Sequence, residues 1–338
     1  MKTLLSACVA LLLAVPAASA QSTTPVPTSP TTTTPPPAAP ATPAPPAAGK
    51  GSFAIASGLS DRGKRYVPAG GRVRLSGRVK PFVGGQRIVV ELFRGRKRVA
   101  RRVVDVAELK GGSGAFSAVF RVKSSGSYTV KARHKGTGQQ ARFTMASKRF
   151  QALRGRVGSG SGSKKIHLVQ MGLQRLAYVT STGGHFDGAT SRAVIAFKKT
   201  NGMSRNGSVS ARVFEMLLSG HGGFRLKYPK AGKHVEADLS RQVLVLARGG
   251  RAERIYHTSS GKPSTPTVTG SFRFYRKQPG TNAKGMVYSS YFIRGYAIHG
   301  YKEVPTHNAS HGCLRVPIPN AVSIYSWINT GDQIFVYH

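Results

Sequence analysis

The stretches Ala297-Ile298-His299-Gly300 and Ser310-His311-Gly312-Cys313-Leu314-Arg315 lie close together near the end of this 338-residue chain. They place a cysteine, two histidines and an arginine in a single short segment. A cysteine attacks a carbonyl as its thiolate, and a free thiol is only partly ionised at neutral pH, so it needs a base or a positive neighbourhood. The segment therefore predicts a cysteine nucleophile, Cys313, that is activated by a histidine.

Acidic residues are scarce around this cysteine, and this affects how its base is oriented. The nearest acid downstream of His299 is Glu303. A backbone carbonyl is then the expected partner of the imidazole ring, and Gly300 lets the chain approach closely enough to supply it. The sequence predicts His299 as the base and Gly300 as its orienting group.

The residues beside the cysteine suggest how a substrate is held. On an extended segment His311, Cys313 and Arg315 would point to one face. The backbone N–H groups of Gly312 and Cys313 would then face a developing oxyanion. Arg315 would be placed to bind a substrate carboxylate with two hydrogen bonds.

The sequence on both sides of the motif predicts a mostly β domain at residues 224–338. Short apolar runs punctuated by glycine and proline are typical of strands. One segment, Asn320 to Trp327, predicts a helix. The predicted strands are Gln242–Leu246, Ile255–Ser259, Tyr291–Phe292, Tyr296–Ile298 and Ile334–Tyr337.

The preceding region, residues 164–220, has a helical period and predicts a small three-helix bundle. Ile166, Val169 and Leu173 fall on one face of the first helix. Thr190 and Ser210 are the expected N-caps of the second and third helices. A Gly/Ser-rich linker at residues 155–163 comes before them.

Residues 51–148 alternate apolar and polar side chains, which predicts a β-sandwich of immunoglobulin-like type. Paired glycines separate the runs, as expected for short antiparallel strands. The alternating apolar positions are Val73, Leu75, Val79, Ile88, Val90, Leu92, Phe116, Ala118, Phe120, Val122, Tyr128, Val130 and Ala132.

The N-terminus has the pattern of an export signal at residues 1–20, with a positive start, an apolar core and a small-residue cleavage site. An alternative is a lipoprotein signal, in which Cys8 would carry the lipid. Residues 21–50 are rich in Pro, Thr and Ala and predict a disordered linker. No other segment approaches the ~20 apolar residues of a membrane span. An exported protein of the cell envelope, periplasm or cell wall is predicted.

The chain carries a large positive charge, with 51 Lys and Arg against 11 Asp and Glu and a net charge of +40. Such a field concentrates polyanions. No zinc-finger spacing or helix-turn-helix pattern is present in the sequence, so anionic wall polymers are the predicted partners and nucleic acid is not. The alternative is that the charge serves only solubility.

The catalytic motif resembles that of the L,D-transpeptidases, cysteine enzymes that cross-link bacterial peptidoglycan. The resemblance rests on His299-Gly300 and Ser310-His311-Gly312-Cys313-x-Arg315 and extends over about residues 233–338. It is supported by the sequences Asp238-Leu239-Ser240-Arg241-Gln242, Ser259-Ser260-Gly261, Thr265-Pro266-Thr267-Val268-Thr269-Gly270 and Tyr291-Phe292.

The resemblance implies a reaction without a cofactor or a metal. Cys313 would attack the carbonyl of the third residue of a donor stem tetrapeptide, the terminal D-alanine would leave, and the amine of a neighbouring stem would attack the thioester. It further implies sensitivity to carbapenems. The implied roles are His299 as base, Gly300 as its orienting carbonyl, His311 and Gly312 as supports beside the oxyanion, and Ser310, Arg315, Tyr291 and Phe292 as substrate-side residues, with Ser310 fixing the loop.

The helical region resembles the peptidoglycan-binding domain of wall enzymes. The resemblance rests on Asp187-Gly188-Ala189-Thr190, Ala193-Val194-Ile195-Ala196-Phe197 and Asn206-Gly207, and it covers about residues 164–219. The sequence departs from the family pattern at Lys198, where glutamine is expected. The resemblance implies that peptidoglycan glycan is a further partner.

Several alternatives remain open on the sequence alone. His299, His307, His311 and Cys313 could bind zinc. The same active site could use water as acceptor, which would make the protein an L,D-carboxypeptidase or endopeptidase. The chain could also be a non-catalytic basic wall-binding protein. Glycoside hydrolysis is disfavoured, because only five acidic residues follow residue 220.

Overall fold

The structure, a computed structural model, describes residues 44–338. The predicted signal peptide, the lipoprotein alternative at Cys8 and most of the predicted linker lie outside the described residues. The linker was expected to extend to residue 50, but Ala47 already forms a bridge with Gln140, and the first strand begins at Lys50. Ordered pairing therefore starts a few residues earlier than composition predicts.

Ten strands form the N-terminal β-rich region in two sheets. One sheet has the order β1-β4-β8-β7 and the other has the order β2-β3-β10-β9-β5-β6. All neighbours are antiparallel except β3 and β10, which are parallel. The strands are β1 (Lys50–Ile55), β2 (Leu59–Asp61), β3 (Lys64–Pro68), β4 (Arg72–Lys80), β5 (Arg87–Arg94), β6 (Lys97–Asp105), β7 (Ala107–Leu109), β8 (Ser113–Arg121), β9 (Gly126–His134) and β10 (Phe143–Leu153).

The alternating apolar residues of this region fill a single core to which both sheets contribute. All the positions that the alternation predicts are buried, from Val73 to Ala132. Full burial of each valine, leucine, isoleucine or phenylalanine side chain among them is worth about 1.5–3 kcal/mol. The last strand extends to Leu153, beyond the predicted boundary at 148, because Phe150 and Ala152 continue the same buried face.

Three helices follow: α1 (Ser163–Arg175), α2 (Gly188–Thr200) and α3 (Ala211–Ser219). Ser210 is the N-cap of α3 as predicted, and its Oγ accepts the Val213 N–H at 3.3 Å. The prediction that Thr190 is the N-cap of α2 is wrong. Asp187 is its N-cap, and the Asp187 carboxylate accepts the N–H of Thr190, which lies in the first turn.

The helices do not enclose a core of their own. Their buried faces share one apolar cluster with Leu59 and Tyr66 from β2 and β3, and with Val243, Val245 and Ile255 from the C-terminal strands. Short helices gain most of their stability from such tertiary packing. The expected separate three-helix bundle is therefore completed by strands on both sides, and residues 45–338 form one compact unit.

The C-terminal region is β-rich, with one helix. Its sheets have the orders β13-β12-β11-β19-β14 and β15-β16-β17-β18. The helix begins two residues before its predicted start at Asn320. The elements are β11 (His234–Asp238), β12 (Val243–Arg248), β13 (Arg251–His257), β14 (Gly270–Arg273), β15 (Arg276–Thr281), β16 (Val287–Ile293), β17 (Tyr296–Tyr301), β18 (Leu314–Pro317), α4 (Ile318–Trp327) and β19 (Gln333–Tyr337).

The two C-terminal sheets and α4 bury a common apolar cluster. Trp327 lies at its edge, and its indole N–H donates to Glu253 Oε2 at 2.8 Å. Within residues 44–338, none of the helices has the length and apolar character that a membrane crossing requires.

Candidate active site

The parallel strands β17 and β18 bring the predicted base and nucleophile to one face. The register pairs Ile298 with Leu314 and His299 with Arg315. Ile298 and Leu314 point into the core. Side chains alternate along a strand, so His299, Arg315 and Cys313, which immediately precedes β18, share the opposite face. Adjacent strands lie only about 4.8 Å apart, so the imidazole and the thiol lie on neighbouring strands of one surface.

The loop between β17 and β18, residues 302–313 and here called the thiol loop, ends in a turn held by hydrogen bonds. Ser310 Oγ donates to the carbonyl of Cys313 at 2.6 Å and accepts the N–H of Gly312 at 3.1 Å. Thr267 Oγ1 donates to the carbonyl of Gly312 at 2.8 Å. These bonds fix the backbone on both sides of the predicted nucleophile, Cys313.

Gly312 is required by both its conformation and its neighbour. Its φ is +111°, in the region that favours glycine. A Cβ on this residue would lie 2.1 Å from a carbon of the Tyr296 ring. The aromatic ring of Tyr296 therefore occupies the space that the missing side chain of Gly312 leaves.

Two expectations for this turn are wrong. The positive φ of Gly312 interrupts the extended conformation, so His311 does not alternate onto the face of Cys313, and its side chain is exposed. The N–H of Gly312 is already bound to Ser310, so it is not available to an oxyanion. The Cys313 amide makes no turn or side-chain hydrogen bond within the described residues and is the better donor.

His299 has the tautomer that a base requires. It is 3% exposed, and its Nδ1 lies 2.9 Å from the carbonyl oxygen of Gly300. A carbonyl only accepts, so Nδ1 carries the proton and Nε2 has the free lone pair. The pKa of His299 is lowered to about 4, mainly by burial; the hydrogen bond to Gly300 raises it and the charge of Arg315 lowers it. The imidazole is therefore neutral at pH 7.

Gly300 orients this histidine because α4 packs directly against its backbone. A Cβ at residue 300 would lie 2.7 Å from the Cβ of Ala321 in that helix. The ring of His299 also meets the ring of Tyr301 edge-on, with centroids 5.7 Å apart. The helix and the tyrosine together hold the strand and the imidazole in place.

The thiol of Cys313 is partly exposed and is expected to be protonated at rest. Burial raises its pKa, while the N–H of Ala297 and the charges of Arg315 and Lys284 act in the opposite direction. Its Sγ lies 3.6 Å from the carbonyl oxygen of Gly295. A neutral thiol beside a neutral imidazole fits general-base catalysis, in which the proton moves as the sulfur attacks.

Arg315 is fixed at both its side chain and its backbone. Its guanidinium carbon lies 4.2 Å from the centre of the Tyr301 ring. Its carbonyl accepts from Thr258 Oγ1 at 2.7 Å and from the N–H of Ser259 at 3.0 Å. The side chain thus brings a permanent positive charge to the face that carries His299 and Cys313.

The two predicted aromatic residues of β16 have different environments. Tyr291 lies in a small apolar cluster that Cys313 contacts, and its hydroxyl donates to Gln278 Oε1 at 2.8 Å. Phe292 points the other way and packs against Phe272 and Phe274 in the core. The predicted substrate contact by Phe292 is wrong, because adjacent strand residues point to opposite faces and Phe292 is 3% exposed.

The alternative zinc site has no support in the geometry. Across residues 44–338, the side chains of His, Cys, Asp and Glu form no group of three or more that could hold a metal ion. His307 contributes its backbone carbonyl instead, which accepts from Ser259 Oγ at 2.6 Å.

Sequence reasoning did not assign a role to three side chains that shape this site. Tyr296 fills the space beside Gly312, Tyr301 contacts both His299 and Arg315, and Thr267 holds the Gly312 carbonyl. Thr267 lies in the Thr265–Gly270 motif, which was a usable signal. The sequence contains no comparable signal for Tyr296 and Tyr301, because their roles depend on contacts between different segments.

We expect Arg315→Met to shift the pH dependence of Cys313 acylation. The acid limb of the parent reports His299 and should have its midpoint near pH 4. Loss of the positive neighbour raises the pKa of His299, so the midpoint moves to higher pH. The measurement is the rate at which a carbapenem acylates Cys313 between pH 3 and pH 7. The rate of each variant is normalised to its own maximum. Arg251→Met, which removes an exposed charge, should keep the parental midpoint, whereas an unchanged midpoint in Arg315→Met would contradict the assignment.

Comparisons with known proteins identify the family of the C-terminal region. Residues 232–336 match the family model described as the L,D-transpeptidase catalytic domain. The chain is similar to the crystal structure of an L,D-transpeptidase from Xylanimonas cellulosilytica, with 30% identity, 55% of this chain and 98% of that chain covered, and a TM-score of 0.51. It also matches the catalytic domain of an E. faecium L,D-transpeptidase, with 25% identity, 32% and 98% coverage, and a TM-score of 0.28. Among curated proteins, none matches.

Proposed function

Because this chain belongs to the L,D-transpeptidase family, we propose that it is an exported enzyme that cross-links peptidoglycan stem peptides through a thioester on Cys313. One observation carries the proposal. The Nδ1 of His299 is held by the Gly300 carbonyl, which leaves Nε2 free on the face that carries the thiol. This is the arrangement of a positioned base and its nucleophile.

The reaction follows from these groups in two steps. In the first, Nε2 of His299 takes the thiol proton as Sγ of Cys313 bonds to the donor carbonyl carbon. The Cys313 amide and the Arg315 charge stabilise the negative charge that develops. The C–N bond to the terminal D-alanine then breaks, and the amine leaves with the proton from His299.

In the second step the thioester is transferred to the acceptor. The side-chain amine of a neighbouring stem attacks the thioester carbonyl and gives its proton to His299. The carbon–sulfur bond breaks, and Cys313 recovers the proton as a thiol. If water enters in place of the amine, the same groups carry out hydrolysis, so the choice between the two depends on access of the acceptor.

The other regions are proposed to keep the enzyme at the wall. The signal-like residues 1–20 would direct export, and residues 21–43 would serve as a spacer. The immunoglobulin-like arrangement of the β-rich region and glycan binding by the helical region are parts of the proposal. The net charge of +40 supports binding to anionic wall polymers.

The experiment that tests the catalytic proposal is intact-mass analysis of the purified protein after exposure to a carbapenem. We expect the parent to gain the mass of one carbapenem, because ring opening by Cys313 mimics the first step. Cys313→Ala should gain none. A parent without an adduct, or an equal adduct on the variant, would refute the assignment of the nucleophile.

A second measurement separates transfer from hydrolysis. The enzyme is incubated with a donor tetrapeptide stem, alone and with an acceptor stem, and the products are resolved by mass. Cross-linked dimer in the presence of acceptor supports the transpeptidase. Free tripeptide in both reactions would favour the hydrolase.

A further inference from the structure

A lysine of the helical region reaches into the C-terminal sheet. Lys199, near the end of α2, is 2% exposed. Its Nζ lies 3.1 Å from the carbonyl oxygen of Gln242, 2.8 Å from that of Thr258 and 2.8 Å from Nδ1 of His257. All three acceptors belong to the C-terminal region, so this side chain links α2 to strands β12 and β13.

The bonds of His257 define its tautomer and extend the link. Its Nε2 lies 2.9 Å from the carbonyl oxygen of Val304, which can only accept, so Nε2 carries the proton. Nδ1 then has the lone pair that accepts from Lys199. Burial lowers the pKa of His257 to about 4, and the charge of Lys199 acts in the same direction. A neutral imidazole therefore joins the lysine to the start of the thiol loop.

The residues that follow β13, together with His257 at its end, hold most of the thiol loop. We call residues 257–262 the anchor segment. Its backbone carbonyl at Ser260 accepts the N–H groups of Ala309 and Ser310, at 2.8 and 2.9 Å. Ser259 Oγ donates to the carbonyl of His307, and the N–H of Lys262 donates to that of Ser310 at 2.9 Å. The position of the anchor segment thus determines the position of the turn before Cys313.

Gln242 makes a second path from the lysine to the same segment. Its carbonyl accepts from Lys199, and its side chain binds Ser260 through two hydrogen bonds, of 2.6 and 2.8 Å. The same amide nitrogen donates to the carbonyl of Leu239 at 2.7 Å. These groups are buried, so a donor or acceptor left without a partner carries the full desolvation cost.

We propose that Lys199 is a positioning residue for Cys313, holding the anchor segment and, through it, the thiol loop at the distance from His299 that acylation requires. This inference rests on the proposed function, because it concerns the same reaction. In this proposal the helical region helps to position Cys313, in addition to packing against the C-terminal region. Displacement of a reacting group by about 1 Å can cost about a hundredfold in rate.

The test compares Lys199→Met with Lys198→Met. The two lysines are adjacent and both are buried, but Lys198 donates to Asn206 Oδ1 at 2.6 Å and to the carbonyl of Ser208, within its own region. Both substitutions replace a buried lysine, whose pKa is lowered by burial, with an uncharged side chain of similar size. We expect Lys199→Met to lower the maximal rate of carbapenem acylation about tenfold to a hundredfold with little change in apparent affinity. Lys198→Met should keep the parental rate.

A second readout does not depend on catalysis. Hydrogen exchange of peptides covering residues 302–315 should be faster in Lys199→Met than in the parent and unchanged in Lys198→Met. Parental exchange and a parental acylation rate in Lys199→Met would overturn the proposal, as would equal effects of the two variants. If the parent itself is not acylated, the proposed function fails while the exchange measurement still tests the positioning role.

A third variant covers the case in which Lys199→Met does not fold. Ser259→Ala removes the hydroxyl that donates to the His307 carbonyl in the thiol loop and leaves the lysine in place. We expect a smaller decrease in the same rate, with faster exchange confined to residues 302–315. A folded Ser259→Ala protein with parental rate and exchange would show that the anchor segment does not position the thiol loop.

Discussion

Replacing His299 with glutamine is expected to slow acylation of Cys313 by about 10²–10⁴-fold, the usual contribution of a general base. Burial keeps this imidazole neutral, with a pKa lowered to about 4, and the Gly300 carbonyl leaves Nε2 free to take the proton. The thiol cannot compensate, because burial raises its pKa. The measurement is the rate of adduct formation by intact mass, with the thermal midpoint recorded to verify folding.

The second histidine of the motif provides the comparison. His311 is exposed, and the positive φ of Gly312 interrupts the extended backbone between it and Cys313. His311→Gln is expected to change the acylation rate by less than about tenfold, well below the contribution of a general base. Equal losses in the two variants would contradict the assignment of His299 as the base, and so would a parental rate in a folded His299→Gln protein.

Glu236→Gln is expected to lower the free energy of unfolding by about 1–3 kcal/mol, the usual cost of leaving a buried hydrogen-bonding group unsatisfied. The carboxylate is fully buried in β11, between β12 and β19. It accepts from Tyr337 Oη at 2.5 Å and from the N–H groups of Tyr228 and Lys227 at 2.8 and 3.0 Å, and His234 Nε2 lies 3.2 Å away. In Glu236→Gln, the amide NH₂ group replaces one carboxylate oxygen. This NH₂ group donates hydrogen bonds, but its neighbours at that position are donors as well.

The pH dependence of stability provides a check on this prediction. Burial raises the pKa of Glu236, but hydrogen bonds from His234, Tyr337 and two backbone amides outweigh it and hold the pKa below its usual value. A lowered carboxyl pKa contributes stability above the unfolded value, about 4.3, and loses it as pH falls through the folded value. The difference in unfolding free energy between the parent and Glu236→Gln should therefore become smaller below about pH 4.3.

Chemical denaturation at pH 7 and at pH 3 measures both effects. Glu108 offers a matched control, because Glu108→Gln makes the same change at a carboxylate that is exposed to solvent. We expect the control to change the unfolding free energy by less than about 0.5 kcal/mol. A Glu236 effect of the same small size, or one that stays constant between the two pH values, would refute the role given to this carboxylate.

Most of the strands and helices were predicted from local sequence patterns. The period-two alternation identified every core position from Val73 to Ala132, because a strand with one buried face must alternate. The helical period in the middle region likewise selected buried faces. Capping was harder to predict, since Asp187 and Thr190 are both competent caps three residues apart and only the backbone conformation decides between them.

The site was predictable where its chemistry is carried by adjacent residues. The scarcity of acids near His299 pointed to a backbone carbonyl, and the Gly300 oxygen lies at hydrogen-bond distance. Predictions failed where they assumed that the backbone stays extended. The positive φ of Gly312 separates His311 from Cys313, and the same turn commits the Gly312 amide to Ser310.

The amino-acid sequence by itself determined the strand and helix pattern and the family, and it predicted the nucleophile and its base, because these depend on residue type and on spacing along the chain. Only the tertiary structure decided which groups surround the thiol. Tyr296 beside Gly312, Phe292 in the core and Lys199 beneath the anchor segment all depend on contacts between distant segments. Such contacts are set by the packing of whole sheets and helices, which no local pattern records.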